Sequence, residues 1–507
     1  MNCLRPLFFL AFFCICSFTL HAQLETEEDQ SSYHASIQTI GVLTTKDRVP
    51  FWLRSNQFGS VPLPGVSASL IGAFRKVYDT LDNLPEDPIS GSHTRLVDWG
   101  AGLEIRGDLG QHSRATLIEG YAKLKVSIFE LKAGRSRDFM GLVDSSLSSG
   151  AFSVSGNALG IPKIQLSIPE YWTLPYTGNL FSVKGNFVHG WLGKLPVRNT
   201  ASSPTFDVST YFHQTSLYVR LGKPEWRLQL YGGLNHQVFW GNEKEFTGKS
   251  FQLSNFKSFE YAVLGKTYHG SKVGNHLGSI DLGLEYEFET VKLLLYRQSF
   301  YDEGALAKLA NIADGLNGVS LVNLNQDDQD GGFHWHRLLF ELFYSKNQAG
   351  YPDSKYTKSG DENYYNNYQY STGWSYKGMG LGNPFVTEAS MSRAGLPNDP
   401  SDYFSNNRVV ALHAGMEGSV DAYQFTVKTS YSFNYGTFGT SKWGYSTGGR
   451  FHPPDYGIWK EVRQLSTYLE VQRSVGRGWQ AGCVAALDAG DLLYNSSGVL
   501  LKLKKSF

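Results

Sequence analysis

His334 and His336 flank Trp335 and fall on one face of an extended segment, a spacing that suits a metal-binding pair. No third ligand stands at a matching distance, so the stronger reading is that they line a polar lumen. Asp328-Gln-Asp330-Gly331 has the opening of a calcium loop. The remaining oxygen ligands and the closing glutamate are missing, which favours a solvated acidic loop. Nucleophile chemistry has no better footing. The chain contains no Gly-x-Ser-x-Gly elbow, no His-Glu-x-x-His pair and no Cys-x-x-Cys pair. No catalytic residue, metal or cofactor is expected, and an enzyme is the weaker class. A hydrolase or acyltransferase with Ser, His and acidic groups scattered over several strands stays as an alternative.

The elements that would position any such chemistry are strands. Val97, Trp99, Ala101, Leu103 and Ile105 alternate with Asp98, Gly100, Gly102, Glu104 and Arg106, a period of two that no amphipathic helix produces. Ile118, Gly120, Ala122, Leu124 and Val126 repeat the pattern against Glu119, Tyr121, Lys123 and Lys125, and the run Phe129–Gly134 follows as in a hairpin. Similar faces recur at Phe181, Val183, Phe187 and Trp191, at Leu217, Val219 and Leu221, at Leu228 and Leu230, and from Ile280 to Phe288. The last strand sets Val499, Leu501, Leu503 and Phe507 against Leu500, Lys502, Lys504 and Ser506, with Lys505 as the one break. Lipid-facing residues alternating with lumen-facing ones are the pattern of an outer-membrane barrel. Trp99, Trp191, Trp226, Phe239-Trp240 and Tyr286 stand near the ends of these runs, where aromatic girdles would form.

Arg5, the apolar run Leu7–Phe13 and Leu20-His-Ala22 read as a secretory signal peptide cut after Ala22. Bulky Phe13 and Ile15 before Cys16 argue against lipidation. Cys3, Cys14 and Cys16 lie in the signal, so Cys483 alone survives processing and no internal disulfide can form. The 507 residues carry 46 basic and 46 acidic side chains, a balance that argues against nucleic acid as a partner. A mean hydropathy of -0.28 fits a barrel whose strands are half wet.

Two regions break the rhythm. Leu70, Phe74, Val77 and Tyr78 follow Ser67 and Ser69 at helical spacing, which predicts a helical element within a region of some 45 residues rich in Pro and Gly. Residues 302–330 read as a surface loop, with a short helical pattern at Ala305, Leu306, Leu309 and Ile312 and a polar run from Asn325 to Asp330.

Pro50-Phe-Trp-Leu-Arg-Ser-Asn-Gln-Phe-Gly59, Ser167-Ile-Pro-Glu-Tyr171, His213–Arg220, Gly233–Gly241, Tyr296-Arg-Gln298, Asp314-Gly-Leu316 and the stretch from Glu362 to Pro384 occur in a characteristic order. In these segments the chain resembles the Wzi-type capsule assembly family of outer-membrane proteins, in the form found in Bacteroides-like bacteria. The resemblance implies an all-β, transmembrane antiparallel β-barrel of about 18 strands with a small N-terminal helical plug near the periplasmic end. It divides the chain into a signal peptide (1–22), an N-terminal strand and periplasmic plug region (23–91) and a barrel with long surface loops (92–507).

It also implies a non-enzymatic role in binding and anchoring capsular or other surface polysaccharide, with outer-membrane lipid and the polysaccharide export machinery as further partners. Sugar rings need flat aromatic surfaces, paired polar groups and arginine forks. In the matching segments these fall at Arg54 and Asn56, at His236 and Trp240, at Arg297 and Gln298, and at Asn367, Trp374 and Asn383. The competing role for each is packing in a girdle, a loop or a plug. A porin or polysaccharide export channel is the main alternative function.

Overall fold

The computed structural model describes residues 31–79, 95–110, 113–200, 202–302, 306, 309–325, 331–349, 362–447 and 450–507. The signal-peptide segment, Ala305 and the whole polar run after Asn325, with Asp328 and Asp330, lie outside them.

Eighteen antiparallel strands form one sheet. They are β1 (Tyr33–Thr44), β2 (Ser67–Lys76), β3 (Val97–Gly110), β4 (Arg114–Val126), β5 (Phe129–Arg135) and β6 (Lys163–Thr173). Then come β7 (Phe181–Val197), β8 (Phe206–Leu221), β9 (Leu228–Trp240), β10 (Asn275–Glu287), β11 (Val291–Tyr301) and β12 (Gly315–Asn323). The last six are β13 (Phe333–Tyr344), β14 (Val409–Val420), β15 (Tyr423–Asn434), β16 (Val462–Gly476), β17 (Trp479–Gly490) and β18 (Ser496–Ser506). Each pairs with its neighbours in the chain, and β1 also pairs with β18 from Ser36↔Ser506 to Thr44↔Gly498. The sheet is therefore a closed barrel without an edge, so its ladder satisfies the backbone groups from within.

Alternation determines which side chains face out. On β3, Val97, Trp99, Leu103 and Ile105 are exposed, whereas Asp98, Glu104, Arg106 and Asp108 are buried toward the lumen. One register shift interrupts this pattern. Glu104 pairs with Glu119 but Ile105 pairs with Leu117, so Ile118 is the extra residue of a bulge. Leu117 takes the outer place, and Ile118, expected outside, is buried. A second shift lies between Trp335 and Arg337 and breaks the alternation at His336, whose Nε2 lies 3.0 Å from the Ser419 hydroxyl. Among the described residues no three His, Cys, Asp or Glu side chains converge as metal ligands.

Connections differ at the two ends. Residues 127–128, 288–290, 421–422 and 477–478 are tight turns at the end that holds Tyr33 and Ser506. At Arg477-Gly478 both residues have positive φ, 51° and 73°, as a two-residue hairpin with the twist of its strands requires. The opposite end carries the long segments 45–66, 136–162, 241–274, 345–408 and 435–461.

Three expectations need correction. Ser67–Lys76 is a wall strand, not a helix. Leu70 and Phe74 stand four apart, a spacing shared by both periods, and the alternation of Ala68, Leu70, Gly72 and Phe74 with Ser67, Ser69 and Ile71 decides for the strand. The sheet thus starts at Tyr33, within the region read as strand and plug. Residues 315–323, read as loop, form strand β12, and the described residues before it make successive turns rather than an α-helix. Phe239 and Trp240 belong to no girdle, because both are buried. Trp99, Trp191, Trp226 and Trp479 are the exposed rim tryptophans.

Among the described residues the lumen is filled from the long-loop end, by irregular segments 45–66, 136–162 and 362–408. Their one described α-helix is the four-residue α1 (Phe51–Arg54). Phe152 stacks on Phe300 of the wall at 4.0 Å, Trp374 on Phe239 at 4.2 Å, and Phe385 on Phe51 at 5.7 Å. These rings belong to one apolar cluster with Trp52, Phe343, Tyr364, Tyr365 and Phe404.

Candidate functional site

Four of the nine residues singled out in the sequence converge on one short piece of backbone, Ser149–Ser153. Asn56 Nδ2 donates to the Ser149 carbonyl at 2.9 Å. Asn383 Nδ2 donates to the Gly150 carbonyl at 2.6 Å. Gln298 Oε1 accepts from the Phe152 amide at 3.2 Å while its Nε2 donates to Asp281 at 3.0 Å. Trp374 Nε1 donates to the Ser153 carbonyl at 2.8 Å. Segment 136–162 has no regular partner for its amides and carbonyls, so side chains from the wall and from two other loops supply them. The four residues therefore tie the filling together.

The other five stand elsewhere. Arg54 ends α1, buried, 5.6 Å from the Phe51 ring. Burial acts against its charge, and the nearby Glu388 and Asp488 carboxylates act for it. Asp488 also accepts the Phe51 amide at 2.8 Å and so seats the start of α1. Asn367 braces its own loop, accepting from the Gln369 and Tyr370 amides and donating to Asn275. His236, Trp240 and Arg297 share the outward parity of Leu234 and Leu295, so they face away from the lumen. Arg297 donates to Asn317 at 2.7 Å and to the Asp314 carbonyl at 3.2 Å, gripping the base of the turn that leads into β12. His236 and Trp240 lie beneath the loop 241–274.

Below the filling, on the tight-turn side, two adjoining cavities of about 250 and about 300 Å³ share Gln57, Tyr468 and Glu470. Their walls carry a charge network that the sequence-based search for ligand groups missed. Arg75 bridges Glu104 (2.7 Å) and Glu119, Arg137 also meets Glu104, and Lys502 meets Glu470. Its signal was present in the inward positions of β3 and β4, where Glu104, Arg106 and Glu119 recur, but the partner Arg137 comes from a loop. Paired charges of this kind fix the wall and the filling to each other and hold a polar chamber. They present no nucleophile beside a base.

Over the filling, loop segments 362–408, 435–447 and 450–461 build a cap. Arg198 donates to the carbonyls of Tyr368 (2.8 Å) and Ser401 (2.6 Å). Asp399 accepts from Tyr456 at 2.8 Å, and Asp402 accepts from Asn363 at 3.0 Å. Burial beside Asp399 pushes the Asp402 carboxyl up to about 7. The cap leaves Tyr368 about half exposed and Trp443 partly exposed.

A closed barrel with an oily outer face, a polar inner face and loops packed into its lumen defines an outer-membrane β-barrel. In such barrels the short turns face the periplasm and the long loops the exterior. The sequence profile of the capsule assembly protein Wzi family matches residues 23–419, well over half of the chain, and the chain belongs to that family. Among solved structures it is similar to the Escherichia coli outer-membrane protein Wzi, described as a carbohydrate-binding β-barrel involved in group 1 capsule assembly. That similarity has 12% identity and a TM-score of 0.52, covering 92% of this chain and 83% of that one. Weaker likeness is found to Acinetobacter baumannii OccAB2 (10% identity, TM-score 0.44, covering 94% of this chain and 98% of that one). Pseudomonas aeruginosa OpdK with vanillate is comparable (11% identity, TM-score 0.44, with coverage of 94% and 98%). Comparison with curated proteins gives no match.

Proposed function

We propose that the protein binds capsular or another surface polysaccharide at the outer face of the cell and anchors it there without chemical turnover. The observation that carries this reading is the aromatic filling: with Phe152, Tyr364, Tyr365, Trp374 and Phe404 packed across the lumen, the long loops serve as a built outer surface rather than as a gate. The cap is the saccharide face, with Tyr368, Trp443 and Tyr456 as ring platforms beside amide and carboxylate groups. Of the nine residues picked from the family segments, Asn56, Gln298, Trp374 and Asn383 support that cap from below by tying the filling together, and Asn367 braces its loop. Single sugar contacts are weak, and retention comes from many barrels engaging one repeating polymer delivered by a separate exporter.

Deleting the gene is expected to shed capsule into the medium while synthesis continues. Loss of synthesis would overturn the anchoring role. A glycan array probed with detergent-solubilised protein is expected to show binding to an acidic or neutral surface glycan, weakened in Tyr368→Ala. Purified protein is expected to be silent in planar bilayers, and steady conductance would favour a channel instead.

A further inference from the structure

The loop 241–274 contains an element that lies outside the barrel. Helix α2 (Glu243–Thr247) leads to α3 (Asn255–Leu264), capped by Ser254, whose side chain accepts from the Lys257 amide, and closed by left-handed Gly265 (φ 59°). Helix α3 packs on the outer faces of β8 and β9. Phe259 is the inserted knob, 5.3 Å from the Trp240 ring, 5.8 Å from His213, 6.1 Å from His189 and 6.5 Å from Phe187. Beneath it Ala262 is buried, with its carbonyl 3.3 Å from His236 Nε2, and His236 in turn lies 3.3 Å from His276.

These contacts explain a feature of the wall. His189, His213, His236 and His276 all occupy outward positions, where bare imidazoles would face hydrocarbon at a high cost. The helix covers the first three, and the end of its loop at Val273 covers His276. Its height follows from Phe187, which touches Phe259 and is itself exposed on the same strand face as Phe181, with lipid-facing Leu217 and Leu234 on the neighbouring strands. The helix thus sits where the oily belt gives way to the outer headgroups.

Its own outer face is not finished by protein. Phe256 and Leu264 are 74% and 60% exposed, eight residues and about 80° apart around the helix, with Glu260 between them. Around them the loop carries Lys244, Lys249, Lys257, Lys266 and Lys272 against three glutamates. Glu243 is buried, Glu245 is exposed, and Glu260 is clamped between Lys257 and Lys266, at 2.7 Å from each.

We propose that α3 is a docking element for the phosphorylated glycolipid of the outer leaflet: Phe256 and Leu264 enter the acyl chains, and the lysines hold headgroup phosphates. Apolar exposure continuous with the lipid-facing wall and a surplus of cations at headgroup height both select this occupant.

The test uses the full-length barrel with Cys483→Ser, refolded into phosphatidylcholine vesicles with or without lipid A. A spin label at Phe256→Cys is expected to be more accessible to oxygen than to a water-soluble nickel chelate; the reverse would place the helix in water and overturn the proposal. Combining Lys249→Ala, Lys257→Ala, Lys266→Ala and Glu260→Gln, so that no orphan carboxylate remains, is expected to lower retained lipid A about tenfold. Retention of phosphatidylcholine should not change. Equal retention of lipid A by this variant, with normal heat-modifiable folding on gels, would overturn the phosphate recognition.

Discussion

Leu234 on the outer face of β9 and Trp374 in the lumen are both large apolar side chains, yet Leu234 is 47% exposed and Trp374 is fully enclosed. The difference between them is the difference between wall and filling. The wall meets a fluid partner, so its outer positions need only be oily, and alternate residues suffice. The filling meets fixed neighbours on every side, and its rings must fit one another and satisfy irregular backbone as well. Tolerance should therefore be high outside and low inside.

The largest expected effect is on the filling. Trp374→Ala removes a ring stacked on Phe239 and a donor to Ser153, and should cost about 3–5 kcal/mol. It is measured as a lowered midpoint of heat-modifiable unfolding, together with the appearance of ion conductance in planar bilayers. Equal stability would erase the contrast. Next comes Leu282→Arg, which places a charge on the lipid face and should cost about 2–4 kcal/mol near mid-membrane. Urea titration in vesicles reads that value, and the polar inner positions one residue away should accept a comparable change more easily.

Leu234→Ala should cost about 1–2 kcal/mol, the transfer term alone, since lipid fills the space and leaves no cavity. A loss as large as that for Trp374→Ala would show that the wall is packed like the filling. The most local effect concerns pH. Asp402 has an ordinary value of 3.8 and is raised to about 7 in the cap, so between these values the folded cap binds more protons than the unfolded chain. Its contribution is complete at low pH and is lost as pH rises through about 7. Proteolysis of loop 362–408 should accelerate as pH rises from 3.8 to about 7, and Asp402→Asn should flatten that dependence.

The same contrast marks what could be read before the structure. Positions such as Val97, Trp99 and Leu103 announced an oily face because a strand's period is short and local, and the barrel class followed from them together with the family segments. Leu70 and Phe74 misled because four residues apart is a distance common to strand and helix. Trp374 and Asn383 were noticed as chemistry-bearing residues, but their partners at Gly150 and Ser153 lie more than two hundred positions away, and no local pattern announces such a pairing. His236 and Trp240 stand out as sugar-binding candidates, and Trp240 as a girdle residue, because nothing in β9 reveals that a helix returns over the outside of the wall. Long-range ties set the roles of these residues, while local rhythm set the wall.

The seam between the first strand and the last has a bearing on how the molecule comes into being. Thr39 and Leu503, bonded across it, are 464 positions apart. Bringing such distant partners together costs about 5 kcal/mol in chain entropy. Until that happens, both margins of the growing sheet offer unpaired amides and carbonyls to any passing strand. Birth of this protein is thus an all-or-none zippering that needs shelter for two sticky borders. A cut in an outer loop would leave the cylinder whole, whereas removal of either bordering strand would leave it gaping.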